Sequence, residues 1–144
     1  MTKPPRLEDQ LCYSIYSTAL AIKRLYKPML DAMGVTYPQF LVLNVLWEQG
    51  EQPIGAIGEK LALETSTLTP LLKRLENEGF IQRLRNVHDE RQVMITLTDK
   101  GAAVHDKSAC LSMTLLSSSH LELGQLQRLN KEIIALRDNI IQKV

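Results

Sequence analysis

A change of hydrophobic period between Pro53 and Gly101 restricts the fold more than any other feature of the chain. Leu68, Leu71, Leu72 and Leu75 recur at i, i+3, i+4 and i+7, which is one face of an α-helix. Beyond Gly79 the period becomes two: Val93, Ile95 and Leu97 alternate as one face of a strand. Ahead of this helix, Pro53 opens a shorter one with Ile54, Ile57 and Leu61 on one side, and Ala62 to Glu64 form the turn between them. Pro70 belongs near the start of the second helix, because deeper in it would lose a backbone bond and clash with the preceding turn at a cost of about 3 kcal/mol. That makes Thr65, Ser66, Thr67 and Thr69 the exposed N-terminal end. Strands are expected over Phe80 to Arg85 and Gln92 to Leu97. The polar link Asn86 to Arg91 is long for a tight hairpin, so it should protrude as a wing. Two short helices followed by such a hairpin form a winged helix-turn-helix.

The flanking segments read as helical scaffold. From Leu7 to Met33, Leu11, Ile15, Ala19, Ile22, Leu25, Met29 and Met33 recur at three- and four-residue steps. A second stripe, through Cys12, Tyr16, Ala19, Lys23, Tyr26 and Leu30, adjoins the first, so this helix needs more than one packing partner. Gly34 ends it. Thr36-Tyr37-Pro38-Gln39 has the form of a capping box for a buried helix that carries Phe40, Leu41, Leu43, Val45, Leu46 and Trp47 and closes at Gly50. Thr98 caps a further helix with loosely patterned apolar positions from Ala102 to Leu116. In the last helix Leu126, Leu129, Ile133, Leu136 and Ile140 step like a heptad, and in so short a chain a second subunit would cover them. The expectation is one domain, mainly α with a small β-wing. Residues 7–35 and 100–144 form a helical dimerisation region, and residues 36–99 are the winged helix-turn-helix.

Composition excludes more than it selects. The 144 residues suffice for a core without staples. No apolar run approaches the roughly 20 residues of a membrane span, and Met1 to Asp9 lacks the form of a signal peptide, so a cytoplasmic location is expected. Two cysteines almost a hundred residues apart provide neither a disulfide framework nor a metal knuckle. His88, His105 and His120 match no zinc pattern. Neither metal nor cofactor is expected. Net charge is only +1, yet Arg74, Arg83, Arg85 and Arg91 fall close together.

Hydroxyl side chains at a helix N-terminus followed by arginines are either an ordinary cap with solvated charges or a reading head. In a reading head, Thr65, Ser66, Thr67 and Thr69 enter the major groove, while Arg91 on the wing reaches the minor groove. The run Asp89-Glu90-Arg91-Gln92-Val93-Met94-Ile95-Thr96-Leu97-Thr98-Asp99-Lys100-Gly101 resembles the wing signature of the MarR family of bacterial transcription regulators. Leu68-Thr69-Pro70-Leu71-Leu72-Lys73-Arg74-Leu75 is similar to that family's recognition helix. The resemblance covers nearly the whole chain from Leu7. It implies a winged-helix homodimer on a palindromic operator, binding double-stranded DNA through Thr65, Ser66, Thr67, Thr69, Lys73, Arg74, Arg85, Asp89 and Arg91, with Asp89 orienting Arg91.

Within that family, Leu11-Cys12-Tyr13-Ser14-Ile15-Tyr16-Ser17, Leu25-Tyr26-Lys27-Pro28 and Thr36-Tyr37-Pro38-Gln39 resemble the organic-hydroperoxide-sensing repressors known as OhrR. The resemblance implies that Cys12 is redox-active and that Tyr26 and Tyr37 hydrogen-bond its thiolate across the dimer. Cys12 and Tyr26 lie ~21 Å apart along one helix at 1.5 Å per residue, too far to meet within one chain. Two copies crossing antiparallel about Ala19 would pair residue numbers that sum to roughly 38, which sets Cys12 opposite the partner's Tyr26. A free cysteine of pKa about 8.5 is only a few per cent ionised near pH 7. Phenol donors and a helix N-terminus favour the anion, while Asp9 opposes it. Apolar neighbours suit an organic hydroperoxide better than hydrogen peroxide.

Cys110 is the candidate resolving cysteine. It stands about two turns before the position the resemblance implies, on the same helix face, and otherwise a small external thiol completes the switch. Two other readings compete with sensing by Cys12. In one, a small aromatic acid releases a MarR-type repressor in which Cys12 is merely packed. In the other, Cys12 serves a thiol peroxidase, which would leave the reading helix and wing without purpose. The balance favours a regulator that is not an enzyme.

Overall fold

The computed structural model describes residues 3–143. It divides into two compact units, one ending at Ala109 and one beginning at Cys110. No single helix in it is long and apolar enough to cross a membrane.

The first unit is built around α2 (Tyr37–Gln49), whose Val42, Leu43 and Leu46 are almost wholly removed from solvent. Its start is fixed by the expected capping box. The Thr36 hydroxyl accepts from the Gln39 N–H at 3.3 Å, and the Gln39 side-chain oxygen accepts from the Thr36 N–H at 2.9 Å. This exchange satisfies the side-chain oxygen of Gln39, a buried polar residue. Preceding it is α1 (Leu11–Met33), which buries only its C-terminal residues Tyr26, Leu30 and Met33. The helix expected from Leu7 is interrupted: Leu7–Asp9 form a 3-10 turn, Gln10 is extended, and α1 starts afresh at Leu11. Pro28 lies inside α1 without breaking it.

After α2 come β1 (Gln52–Pro53), α3 (Ile54–Leu61), α4 (Thr65–Asn77), β2 (Ile81–Arg85), β3 (Val93–Leu97) and α5 (Asp99–Ala103). The sheet is antiparallel in the order β1-β3-β2, with Arg83 opposite Ile95 and Gln52 also opposite Ile95. Only two strands are legible from period; the two-residue β1 is too short to show one. At the turn between α3 and α4, a Cβ on Gly58 would approach the Leu63 carbonyl to 2.9 Å. Glycine therefore permits this tight elbow. Leu68, Leu72 and Leu75 of α4 are buried as expected, but Leu71 is only half-buried. Pro70 is the sixth residue of α4 rather than one of its first turn. It supplies no N–H to the Ser66 carbonyl, and the helix tolerates that loss where the carbonyl reaches solvent.

Past Thr98, the loosely patterned stretch resolves into α5, a 3-10 turn over Val104–Lys107, and α6 (Ala109–Ser119). The 3-10 turn breaks the 3.6-residue repeat, so no single apolar period spans the segment. In the second unit, His120 adopts a left-handed conformation (φ 57°) between α6 and α7 (Leu123–Lys143). Along α7, Leu129, Ile133 and Ile140 remain exposed.

Of the glycines, Gly101 has the least room for a side chain: a Cβ there would strike the Phe80 carbonyl oxygen. Gly101→Ala should lower unfolding stability by about 2 kcal/mol or more through overpacking against backbone. Gly55→Ala, whose Cβ meets nothing within 4 Å, should be neutral or stabilising by up to about 1 kcal/mol. Urea unfolding followed by circular dichroism separates the two.

Candidate functional site

The reading surface begins with the N-terminal half of α4. Thr65, Ser66, Thr67 and Thr69 are all exposed, and among the described residues none of their hydroxyls has a protein hydrogen-bond partner. The Glu64 N-cap makes no side-chain cap bond. Donors and acceptors at this end are thus open to an external polar surface, as a groove-reading helix requires. Lys73 projects on the same outer face, also exposed.

On the wing, two contacts shape the link between β2 and β3. The Asn86 amide donates to the Gln92 side-chain oxygen at 2.7 Å, and Arg85 Nη1 donates to the Glu90 carbonyl at 2.8 Å. The Asp89 carboxylate accepts from the Arg91 backbone N–H at 3.1 Å and lies 3.6 Å from its Nε. The Arg91 side chain is 96% exposed. Asp89 therefore steadies a guanidinium that projects freely into solvent. Arg83 behaves differently: its Nη2 lies 2.9 Å from Glu76 Oε1 on α4, and this bond holds the Glu76 carboxyl below its usual range. The pair staples the wing strand to the reading helix. Sequence reasoning grouped Arg83 with the other arginines, because a partner seven residues away on another element has no periodic signature.

Arg74 is an exposed residue of α4, one heptad beyond Thr67. At about 100° per residue it stands roughly 20° around the helix from Thr67, between Ser66 and Leu71. It lines a cavity of about 600 Å³ together with Lys23, Lys27 and Tyr37. The sequence counted Arg74 among the DNA contacts; the structure places it, exposed, also at a cavity beside the α1–α2 connection.

The break at Gln10 puts Cys12 in the first turn of α1, where backbone N–H groups lack intrahelical partners. Its thiol is exposed, with Sγ 4.0 Å from Gln10 Oε1. Leu11 and Tyr16 beside it are 60% and 65% exposed. Within the protomer the two tyrosines come together without the cysteine. The Tyr26 and Tyr37 rings lie 6.1 Å apart and lead through Phe40 and Trp47 to His105, which stacks on Trp47 at 4.8 Å. Burial raises the pKa of both tyrosines, and for Tyr26 the neighbouring Tyr37 adds to the rise. Both stay protonated and able to donate across the physiological range. Cys110, in the second unit, also has an exposed thiol. No group of three or more metal-ligating side chains occurs among the described residues.

A family model described as transcriptional regulator SarA/Rot matches residues 24–108. The organic hydroperoxide resistance transcriptional regulator of Bacillus subtilis (strain 168) is 39% identical over 138 residues, covering 96% of this chain and 94% of that one. Among solved structures, reduced AbfR bound to DNA superposes with a TM-score of 0.76 at 37% identity, covering 94% of this chain and 95% of that one. A disulfide-formed AbfR superposes with a TM-score of 0.64 at 35% identity, covering 95% and 91%.

Arg91→Ala is expected to weaken binding to duplex DNA and to reduce the slope of log K against log salt by about 0.9, the loss of one phosphate contact. Fluorescence anisotropy across a salt series measures both, and an unchanged slope removes Arg91 from the interface.

Proposed function

The chain belongs to the MarR/SarA-type family of DNA-binding transcription regulators, and we propose that within it this protein is a homodimeric repressor that senses organic hydroperoxides through Cys12 and then releases its operator. The observation that carries this reading is the division of α1. Its N-terminal half holds an exposed thiol among exposed apolar residues, while its C-terminal half holds a buried tyrosine paired with Tyr37. A second copy crossing antiparallel covers the first with the second and brings each Cys12 to the partner's Tyr26 and Tyr37. The phenols, kept protonated by burial, donate to the sulfur and hold it as the reactive anion.

In this reading residues 7–35 and 100–144 form the dimerisation region, and the exposed Leu129, Ile133 and Ile140 of α7 supply further apolar surface for the partner. Residues 36–99 carry the reading head. Twofold symmetry presents two reading helices and two wings, which calls for a palindromic operator. Thr65, Ser66, Thr67, Thr69 and Lys73 approach the major groove, and Arg91, steadied by Asp89, enters the minor groove. Arg85 secures the wing beneath it.

Operator binding depends on the spacing of two rigid heads, and Cys12 lies in the helix that sets this spacing, so a small change at a packed interface is amplified there. The sulfenic acid on Cys12 then either forms a disulfide with Cys110 or is captured by a small thiol. The cavity beside Tyr37, with its apolar floor and cationic rim, favours one second reading, in which a small aromatic acid is the signal and Cys12 is packing.

Cys12→Ser should bind operator like the reduced wild type and lose at least ten-fold of the affinity change caused by an organic hydroperoxide. Release equal to wild type defeats the sensing role, and release of reduced protein by an aromatic acid establishes the second reading. Non-reducing mass spectrometry of oxidised protein shows a Cys12–Cys110 peptide if Cys110 resolves.

A further inference from the structure

Arg74 is a guanidinium without a counter-ion in a place already rich in positive charge. It lines the cavity of about 600 Å³ with Lys23, Arg24 and Lys27, against a single carboxylate, Asp31. That carboxylate is engaged by Lys27 at 3.0 Å. Among the described residues no carboxylate lies within ion-pair distance of Arg74. Arg74 also lines the adjoining cavity of about 480 Å³ with Asp31, Thr36 and Glu78, so it borders both spaces between the α1–α2 connection and the reading helix. Across the two adjoining spaces four cations stand against two carboxylates, Asp31 and Glu78, and an anion that enters relieves the excess of positive charge.

We propose that Arg74 is a positioning residue through which the charge state of the partner's Cys12 reaches the reading helix, and that it is not a phosphate contact. The inference rests on the peroxide-sensing reading above. In the antiparallel crossing of α1, Cys12 faces the partner's Tyr26, which lies between Lys23 and Lys27 along the helix, and Tyr37 lines the same cavity. The thiolate is then the anion that this cationic wall receives. The acidic groups on its own side are Glu8 and Asp9 in the preceding turn, of which Glu8 is paired with Arg6.

Oxidation removes that charge. The thiolate sulfur attacks the terminal oxygen of R–O–O–H, an S–O bond forms as the O–O bond breaks, and the leaving alkoxide takes a proton from solvent to become the alcohol. Sulfur gives up two electrons, the peroxide accepts them, and the product Cys12 sulfenic acid is neutral. Arg74 loses its counter-charge, and α4, which carries it, loses the tie to the α1–α2 connection that held it in register.

The test uses full-length Arg74→Gln and Arg74→Lys beside wild type, with a duplex enriched from a random library on the reduced wild-type protein. Affinity is measured by anisotropy between 50 and 200 mM salt, before and after cumene hydroperoxide, with Cys12 oxidation followed by intact mass. Wild type should lose at least ten-fold in affinity on oxidation. Arg74→Gln should lose less than three-fold although its Cys12 is oxidised, and Arg74→Lys should retain most of the response. The salt slope of reduced Arg74→Gln should equal that of wild type. A slope reduced by about 0.9 makes Arg74 a phosphate contact and overturns the proposal. So does full release of oxidised Arg74→Gln, or an Arg74→Lys protein that fails as completely as Arg74→Gln. Wild type that is not released by peroxide defeats the sensing reading itself, and the coupling role with it.

Discussion

The first unit depends on the junction at Thr98 and Gly101. The Thr98 hydroxyl donates to the Gly79 carbonyl at 2.5 Å and accepts from the Gly101 N–H at 3.1 Å, while the Thr98 N–H donates to the Phe80 carbonyl at 3.1 Å. The Gly101 carbonyl in turn accepts from Trp47 Nε1 at 2.9 Å. One threonine and one glycine thereby join the end of the reading helix, the start of the wing, the first turn of α5 and the buried α2. The geometry closes because Gly101 has no Cβ to strike the Phe80 carbonyl. The wing can then stand at a defined angle to α4, an angle the Glu76–Arg83 pair further restrains. A surface ion pair contributes little energy, so here it acts through direction more than through stability.

From that junction two lines run through the molecule. Outward, α4 and the β2–β3 hairpin present unpaired hydroxyls and a freely projecting Arg91. Inward, the aromatic series from His105 through Trp47, Phe40 and Tyr37 ends at Tyr26 on α1. Packed rings transmit displacement because they cannot be compressed. The reading head and the tyrosines proposed to hold the sulfur therefore belong to one compact unit.

Much of this was legible in the residues because local rules governed it. The capping box at Thr36 and Gln39, the αL termini at Gly34 and Gly79, the exposed hydroxyls of α4 and the existence of β3 each follow from spacing alone, although along β3 only Ile95 is buried and its neighbours on both faces are half-buried. What misled was always non-local or too short. Gln10 interrupts a stripe whose period continues on either side, so α1 starts later than its apolar residues announce. Two residues at Gln52 and Pro53 pair with β3 without any pattern of their own. Arg74, Arg83 and Arg91 look equivalent in a list of charges, yet Arg74 borders the space beside α1, Arg83 is tied to Glu76 on α4, and Arg91 stands exposed on the wing beside Asp89.

The sequence by itself determined the kind of structure: period, caps and glycines dictate helices, hairpin and their order, since these are satisfied within a few residues. It also pointed to Cys12, Tyr26 and Tyr37 as one set through family resemblance. The tertiary structure decided which side chains share a space. It put Cys12 in the first turn of α1 with its thiol exposed, joined Tyr26 to Tyr37, and turned Arg74 toward the cavity between α1 and α4. Those facts depend on how distant elements pack, and the direction of an exposed residue on a helix has meaning only once the neighbouring helix is in place.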